Sequence, residues 1–156
     1  DKGNTPYNLR NCAYTEDFYK QKILWAETMR IHKNSSSKFP RFGLDRDGKF
    51  VTDKTCFFAT GEDLEYVVGI LNSNVGRYLC SKYVSILDDG GYLMQKIYIE
   101  QIPIRKANKK MLTEISKLVV QAHYEYNLDI DNLIDEKVYN LYELGPDEIE
   151  FIESIQ

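Results

Sequence analysis

Thr60-Gly61-Glu62-Asp63-Leu64-Glu65-Tyr66-Val67-Val68-Gly69-Ile70-Leu71-Asn72-Ser73 is the stretch on which the fold turns. Leu64, Val67, Val68 and Leu71 fall at i, i+3, i+4 and i+7, one apolar stripe at the helical repeat. Thr60 stands where an N-cap belongs, with Asp63 three positions later in the manner of a capping box. Asn72-Ser73-Asn74 breaks the pattern, and Val75, Tyr78, Leu79 and Tyr83 then mark a second helix. The residues before this pair read differently. Lys22 to Ile31 (KILWAETMRI) is rich in large apolar and β-branched residues and predicts a strand. His32 to Lys38 is polar and aperiodic, a loop. Phe39-Pro40-Arg41-Phe42 predicts a short strand with its proline at an edge. Phe50-Val51 and Thr55 to Ala59 are the expected arms of a hairpin or meander around the turn residues Asp45-Arg46-Asp47-Gly48.

After the helix pair, Asp88-Asp89-Gly90-Gly91 predicts a turn, and Tyr92 to Ile104 (YLMQKIYIEQIPI) a long strand whose parity changes near Gln101, at a bulge or strand end. Beyond Lys106 the pattern is helical throughout. Leu112, Ile115, Val119, Ala122 and Tyr126 form one stripe, and Ile134, Val138, Leu141 and Tyr142 another. Gly145-Pro146-Asp147-Glu148 puts a proline and two acids at a helix start, where both are favourable. The expected class is α+β: a small mixed or antiparallel sheet, a central helix pair and an acidic helical C-terminal part. The expected organisation is one domain over 1–156, basic and sheet-rich over about 18–106 and acidic and helical over about 107–156.

Composition sets the outer limits. The chain has 156 residues, 43% hydrophobic and 28% charged, with 13% aromatic residues, the profile of a globular protein. No run approaches the length of a membrane span. The N-terminus shows no secretory signal and no initiator Met, which predicts a fragment of a larger protein. Cys12, Cys56 and Cys80 are odd in number and widely spaced, so free thiols in a reducing cytoplasm are expected rather than disulfides or zinc. Asn34-Ser35-Ser36 fits a glycosylation sequon, which carries no weight without secretion.

The net charge of −4 conceals an asymmetry. Residues 1–111 hold 18 Lys and Arg against 13 Asp and Glu, whereas residues 112–156 hold 2 against 11. The basic part suits a polyanion and the acidic part does not. Glycine-rich phosphate cradles, the G-x-S-x-G elbow and H-E-x-x-H are all missing, and two His and three scattered Cys give no nucleophile set. No catalytic residue and no metal site is expected. In the basic part, cations are interleaved with Tyr19, Trp25, Phe39 and Phe42. Lys22, Lys33, Lys38 and Lys54, with Lys96 on the later strand, are the candidate phosphate contacts. Arg30, His32, Asn34, Arg41, Tyr92 and Gln95 are the candidates for base edges or groove, since Arg matches guanine and Asn or Gln matches adenine.

Read in order, several short pieces resemble a known family. They are Lys22-Ile23-Leu24-Trp25, Pro40-Arg41-Phe42, Asp47-Gly48-Lys49-Phe50, Thr55-Cys56-Phe57-Phe58, Leu64-x-Tyr66-x-x-Gly69-Ile70-Leu71-Asn72-Ser73, Tyr98-Ile99-Glu100-Gln101-Ile102-Pro103-Ile104, Val138-Tyr139-x-Leu141-Tyr142 and Glu148-Ile149-x-Phe151-Ile152. From about Lys22 to Ile155 the chain looks like the TaqI-like C-terminal specificity domain, the target-recognition part of restriction–modification enzymes and adenine-specific DNA methyltransferases. The resemblance implies a division of labour. An upstream domain would bind S-adenosylmethionine and methylate adenine N6, carrying an Asn-Pro-Pro-Tyr-type tetrapeptide that this sequence lacks. This chain would grip double-stranded DNA and hold it while that domain flips out the base. The shared pieces are mostly apolar framework, so the base-reading roles above rest on residue chemistry. The acidic helices are expected to face away from DNA, packing on the sheet or on the catalytic domain. The alternative is a protein-interaction or dimerisation module built on the acidic helices of residues 112–156.

Overall fold

A computed structural model of the chain describes residues 13–30 and 38–155. A 3₁₀ turn over Thr15–Tyr19 precedes β1 (Lys22–Ala26), β2 (Thr28–Met29), β3 (Gly43–Asp45) and β4 (Cys56–Ala59). The helix pair follows as α1 (Leu64–Asn72) and α2 (Asn74–Tyr83). Next come β5 (Ser85–Ile86), β6 (Tyr92–Leu93), the short α3 (Lys96–Ile99), and α4 (Lys109–Tyr124), α5 (Leu128–Tyr142) and α6 (Pro146–Ser154). The class is α+β, with two small antiparallel sheets ordered β3-β1-β4 and β2-β6-β5.

Helix α1 is the hub. Leu64, Tyr66, Val68, Ile70 and Leu71 are all buried, because α4, the first sheet and α2 pack around it. Its C-terminal end, the Gly-Ile-Leu-Asn-Ser run, meets Ile115 of α4 and Val138 of α5 in one apolar core. The long helices begin where their caps stand. Asn108 Oδ1 accepts from Met111 N at 2.9 Å, and Asn127 Oδ1 from Ile130 N at 2.9 Å. Glu148 Oε2 accepts from Gly145 N at 2.8 Å, beside Pro146 at the first helical position.

Five expectations of local structure are corrected. The strand predicted over Lys22 to Ile31 is two strands in two sheets. It breaks at Glu27, whose N–H donates to Thr55 O at 2.8 Å and whose carbonyl accepts from Met94 N at 2.7 Å. Phe39 to Phe42 is no strand, because Asn72 captures its backbone: Asn72 Oδ1 accepts from Phe42 N and Asn72 Nδ2 donates to Phe42 O, both at 2.8 Å. Phe50-Val51 is an exposed loop rather than a hairpin arm. The first helix starts at Leu64, after Asp63 in the left-handed region (φ 52°), and neither Thr60 nor Asp63 caps it with a side chain. The long strand predicted over Tyr92 to Ile104 ends at Leu93. Gln95 O accepts from Tyr98 N and Ile99 N, the chain turns helical, and Tyr98, Ile99 and Ile102 pack inward at helical spacing.

Among the described residues no helix is long and apolar enough to cross a membrane, and no group of side chains is arranged to hold a metal ion. Cys56 and Cys80 are free thiols. Cys80 is wholly buried, and burial pushes its thiol up to about 12. Since the thiolate is the nucleophile, Cys80 is expected to resist a disulfide reagent at pH 8 until the chain unfolds. Mass spectrometry of the labelled site against time in rising urea checks this. Modification of Cys80 at a rate indifferent to urea would contradict its burial.

Candidate nucleic-acid interface

The sequence candidates part into three groups. Lys22 stands alone as a correction. Its side chain is fully buried, ion-paired with Asp45 directly across the β1–β3 register, and its Nζ also donates to Phe18 O at 2.6 Å. No phosphate can reach it. Burial alone would push the Asp45 carboxyl up. The Lys22 ammonium and the N–H groups of Phe50 and Lys49 outweigh that and hold it down at about 2. The pair is a structural rivet that pins the loop after β3.

Lys38 and Arg41 form the second group, and they turn toward the acidic helices. Lys38 Nζ lies 3.2 Å from Asp135 and Arg41 Nη2 3.5 Å from Asp131, both carboxylates on α5. The Arg41 guanidinium also sits over the Tyr126 ring, 5.3 Å from its centre, and Arg46 sits over Tyr124 at 6.0 Å. The acidic part therefore does not simply face away. Two of its carboxylates neutralise cations that the sequence assigned to DNA. Arg41 keeps nearly half its side chain in solvent, whereas Lys38 is mostly covered.

The third group gathers round the two-residue strand β2. Arg30 follows it directly, and its Nε donates to Asp89 of the β5–β6 turn at 2.5 Å, an exposed pair that draws the Asp89 carboxyl down. Tyr92 pairs with Met29 in the ladder and stacks on Phe39, with ring centres 5.2 Å apart and planes 21° apart. At the other end of β2, the two backbone bonds of Glu27 bring Thr55 and Met94 together. Lys54 and the Gln95-Lys96 pair are their sequence neighbours and flank the same joint. Among the described residues, Lys54 is exposed with no carboxylate within ion-pair distance, and Lys96 reaches only Glu100, one turn on, at 3.3 Å. His32, Lys33 and Asn34 lie outside the described residues, between Arg30 and Lys38.

Sequence reasoning missed the loop joining β3 to β4. Phe50 and Val51 stand out from it, each more than three-fifths exposed, with Lys49 before them and Lys54 after. No local signal separates it: two apolar residues between Lys49 and Thr52-Asp53 read as well for a short strand as for a loop, since β2, β5 and β6 are no longer than that. Chemically, the β2 group offers cations that, among the described residues, have no partner or sit in exposed ion pairs of little worth, which a polyanion can displace. Compared with family models and with curated proteins, the chain finds no match in either.

Proposed function

We propose that this chain is the target-recognition domain of a DNA adenine methyltransferase or restriction–modification enzyme of the cytoplasm, binding double-stranded DNA through the second sheet and the loops around β2. The observation that carries the reading is the gathering of Arg30, Lys54, Tyr92, Gln95 and Lys96 at the two ends of one short strand. Lys54 and Lys96 would neutralise phosphates. Arg30 and Gln95 would face base edges, and Phe50-Val51 has the exposed apolar character of a wedge against a groove. The ordered resemblance to TaqI-like specificity domains supports the same reading. The adenine chemistry, with S-adenosylmethionine, belongs to an upstream methyltransferase domain that is also this chain's expected protein partner.

Titrating a labelled mixed-sequence duplex at several salt concentrations tests the electrostatic part. The affinity should fall linearly on a log–log plot, and Lys54→Gln with Lys96→Gln should flatten the slope by about one to two. Salt-independent binding contradicts the proposal. In the parent enzyme, Arg30→Ala should reduce methylation of the cognate site by about tenfold or more while narrowing its advantage over near-cognate sites.

A second reading has its own observation. Leu128, Leu133 and Phe151 are exposed on the acidic helices α5 and α6. A protein partner or a second copy seated there would leave binding unaffected by loss of the β2 cations. Light scattering against concentration, run beside the salt titration, separates the two readings.

A further inference from the structure

The end of the chain carries charge of one sign only. From Val138 to Gln156 there are five acids, Glu143, Asp147, Glu148, Glu150 and Glu153, and no lysine or arginine. Asp147 and Glu148, in the first turn of α6, suit the helix dipole, but Glu153 in its last turn opposes it. Helix stability therefore does not account for the pattern. Three of the five have tasks within the fold. Glu143 pairs with Arg105, Glu148 accepts from Gly145 N, and Glu153 Oε1 accepts from Tyr139 OH at 3.0 Å. Asp147 and Glu150 are exposed, and among the described residues neither carboxylate has an ion-pair or hydrogen-bond partner.

Beside these two acids the surface opens into a shallow cleft of about 300 Å³ between α2 and α6. Tyr78 of α2 forms one wall, and Leu144, Phe151 and Ile152 form the rest, with Asp147 and Glu148 completing the lining. Phe151 is 52% exposed and meets the Tyr78 ring edge-on, with ring centres 6.1 Å apart. Asp147 lies one helical turn before Phe151, and Glu150 immediately before it, so the free acids flank the exposed ring. Lys82 stands 5.1 Å from the centre of the Tyr78 ring and reaches no carboxylate among the described residues. An aromatic anchor in a cleft, with a polar rim left unmatched by the fold, has the make-up of a protein interface.

Charge selects the occupant. Phosphates would be repelled by these acids. A second copy meeting this face with its own α6, as a two-fold contact requires, would set the same acids against one another. A cationic partner with an apolar side chain meets neither obstacle. We propose that the α2–α6 cleft docks a basic segment of a partner protein, with one large apolar side chain seated against Tyr78, Leu144 and Phe151 and its lysines or arginines paired with Asp147 and Glu150. The inference rests on the protein-interaction reading and gives it a partner. It is independent of the DNA reading, since none of Arg30, Lys54, Tyr92, Gln95 and Lys96 lines the cleft.

The test uses the full chain and a fluorescently labelled leucine–lysine peptide whose leucines repeat at helical spacing. A scrambled peptide of the same composition is the control. The first peptide should bind saturably and more weakly as salt rises. Phe151→Ala should weaken it about tenfold and leave the melting temperature close to that of the wild type, because more than half of the residue is already in solvent. Asp147→Asn with Glu150→Gln should also weaken binding and should flatten its salt dependence. Glu62→Gln with Asp88→Asn, an equal loss of charge at exposed positions outside the cleft, should do neither. Absence of binding, equal binding of the scrambled peptide, or equal losses from the two charge pairs overturns the proposal. So does a dimer, seen by light scattering, that Phe151→Ala abolishes. Loss of affinity in Leu133→Ala with none in Phe151→Ala overturns the cleft and leaves the interaction reading standing on α5.

Discussion

Lys22→Met is expected to destabilise the chain by about 3–5 kcal/mol, the usual cost of removing one partner from a buried ion pair, measured as a fall in the urea midpoint at pH 7. The loss comes from what is left behind. Asp45 stays buried and charged, with the amides of Lys49 and Phe50 as its only donors. The double variant Lys22→Met, Asp45→Asn should recover part of the deficit, because the remaining side chain is neutral. The pH dependence has a definite sign. In the wild-type chain Asp45 titrates at about 2, below its ordinary 3.8, so its contribution is complete above about pH 4 and drains away as pH falls toward 2. Without Lys22 the buried carboxyl takes up its proton at higher pH and ceases to be a buried charge. The difference between variant and wild type should therefore be largest at neutral pH and shrink between pH 4 and pH 2. The same variant bears on the nucleic-acid interface: a phosphate contact at Lys22 would weaken DNA binding and leave the urea midpoint alone. An unchanged midpoint would refute the burial of this pair.

The contrast between Lys22 and Lys54 marks where the local sequence stops informing. Both are lysines beside aromatic, strand-like segments, and nothing local tells them apart. Lys22 is inside because Asp45, 23 residues away, stands opposite it in the ladder. The long C-terminal helices were legible because each carries several turns of apolar periodicity and an asparagine cap, signals contained within the element itself. Strands of two to four residues carry no comparable signal. In Lys22 to Ile31 the apolar density of two strands ran together, and only the non-local bonds to Glu27 separate them. Tyr92 to Ile104 alternates like a strand, but its inward residues are chosen by the packing of α3 against the core, which overrides the local pattern. Of the candidate interface, the residue types could be named from the sequence and their neutralisation could not: which cations meet Asp131 and Asp135 is decided by tertiary packing alone. The burial of Arg77 was hidden for the same reason. It lies three residues before the buried Cys80, on a face of α2 that the apolar stripe of Val75, Tyr78 and Leu79 did not mark.

Gly76→Ala should cost about 3 kcal/mol or more, a severe case of overpacking, and the sign is informative because helix propensity argues the other way. Gly76 lies in the first turn of α2, where alanine is intrinsically better by about 1 kcal/mol. The obstacle is the preceding helix. Only Ser73 links α1 to α2, so the two backbones touch, and a Cβ at Gly76 would lie 2.6 Å from Leu71 O and nearer still to Ile70 O. These are carbonyls of the last turn of α1, fixed in the middle of the core, and no rotamer change relieves the clash. The whole of α2 must tilt instead, carrying Arg77 and Cys80 with it. Gly90→Ala is the matched control. That glycine has φ +82° with open space around it, so the variant should lose only the left-handed backbone penalty of about 1–2 kcal/mol. Urea midpoints of the two variants decide between contact and conformation. If Gly76→Ala is the milder of the two, the close crossing of α1 and α2 is wrong. If it is the harsher and the variant still folds, Cys80 should become accessible to thiol reagents, since the helix that hides it can no longer seat against α1.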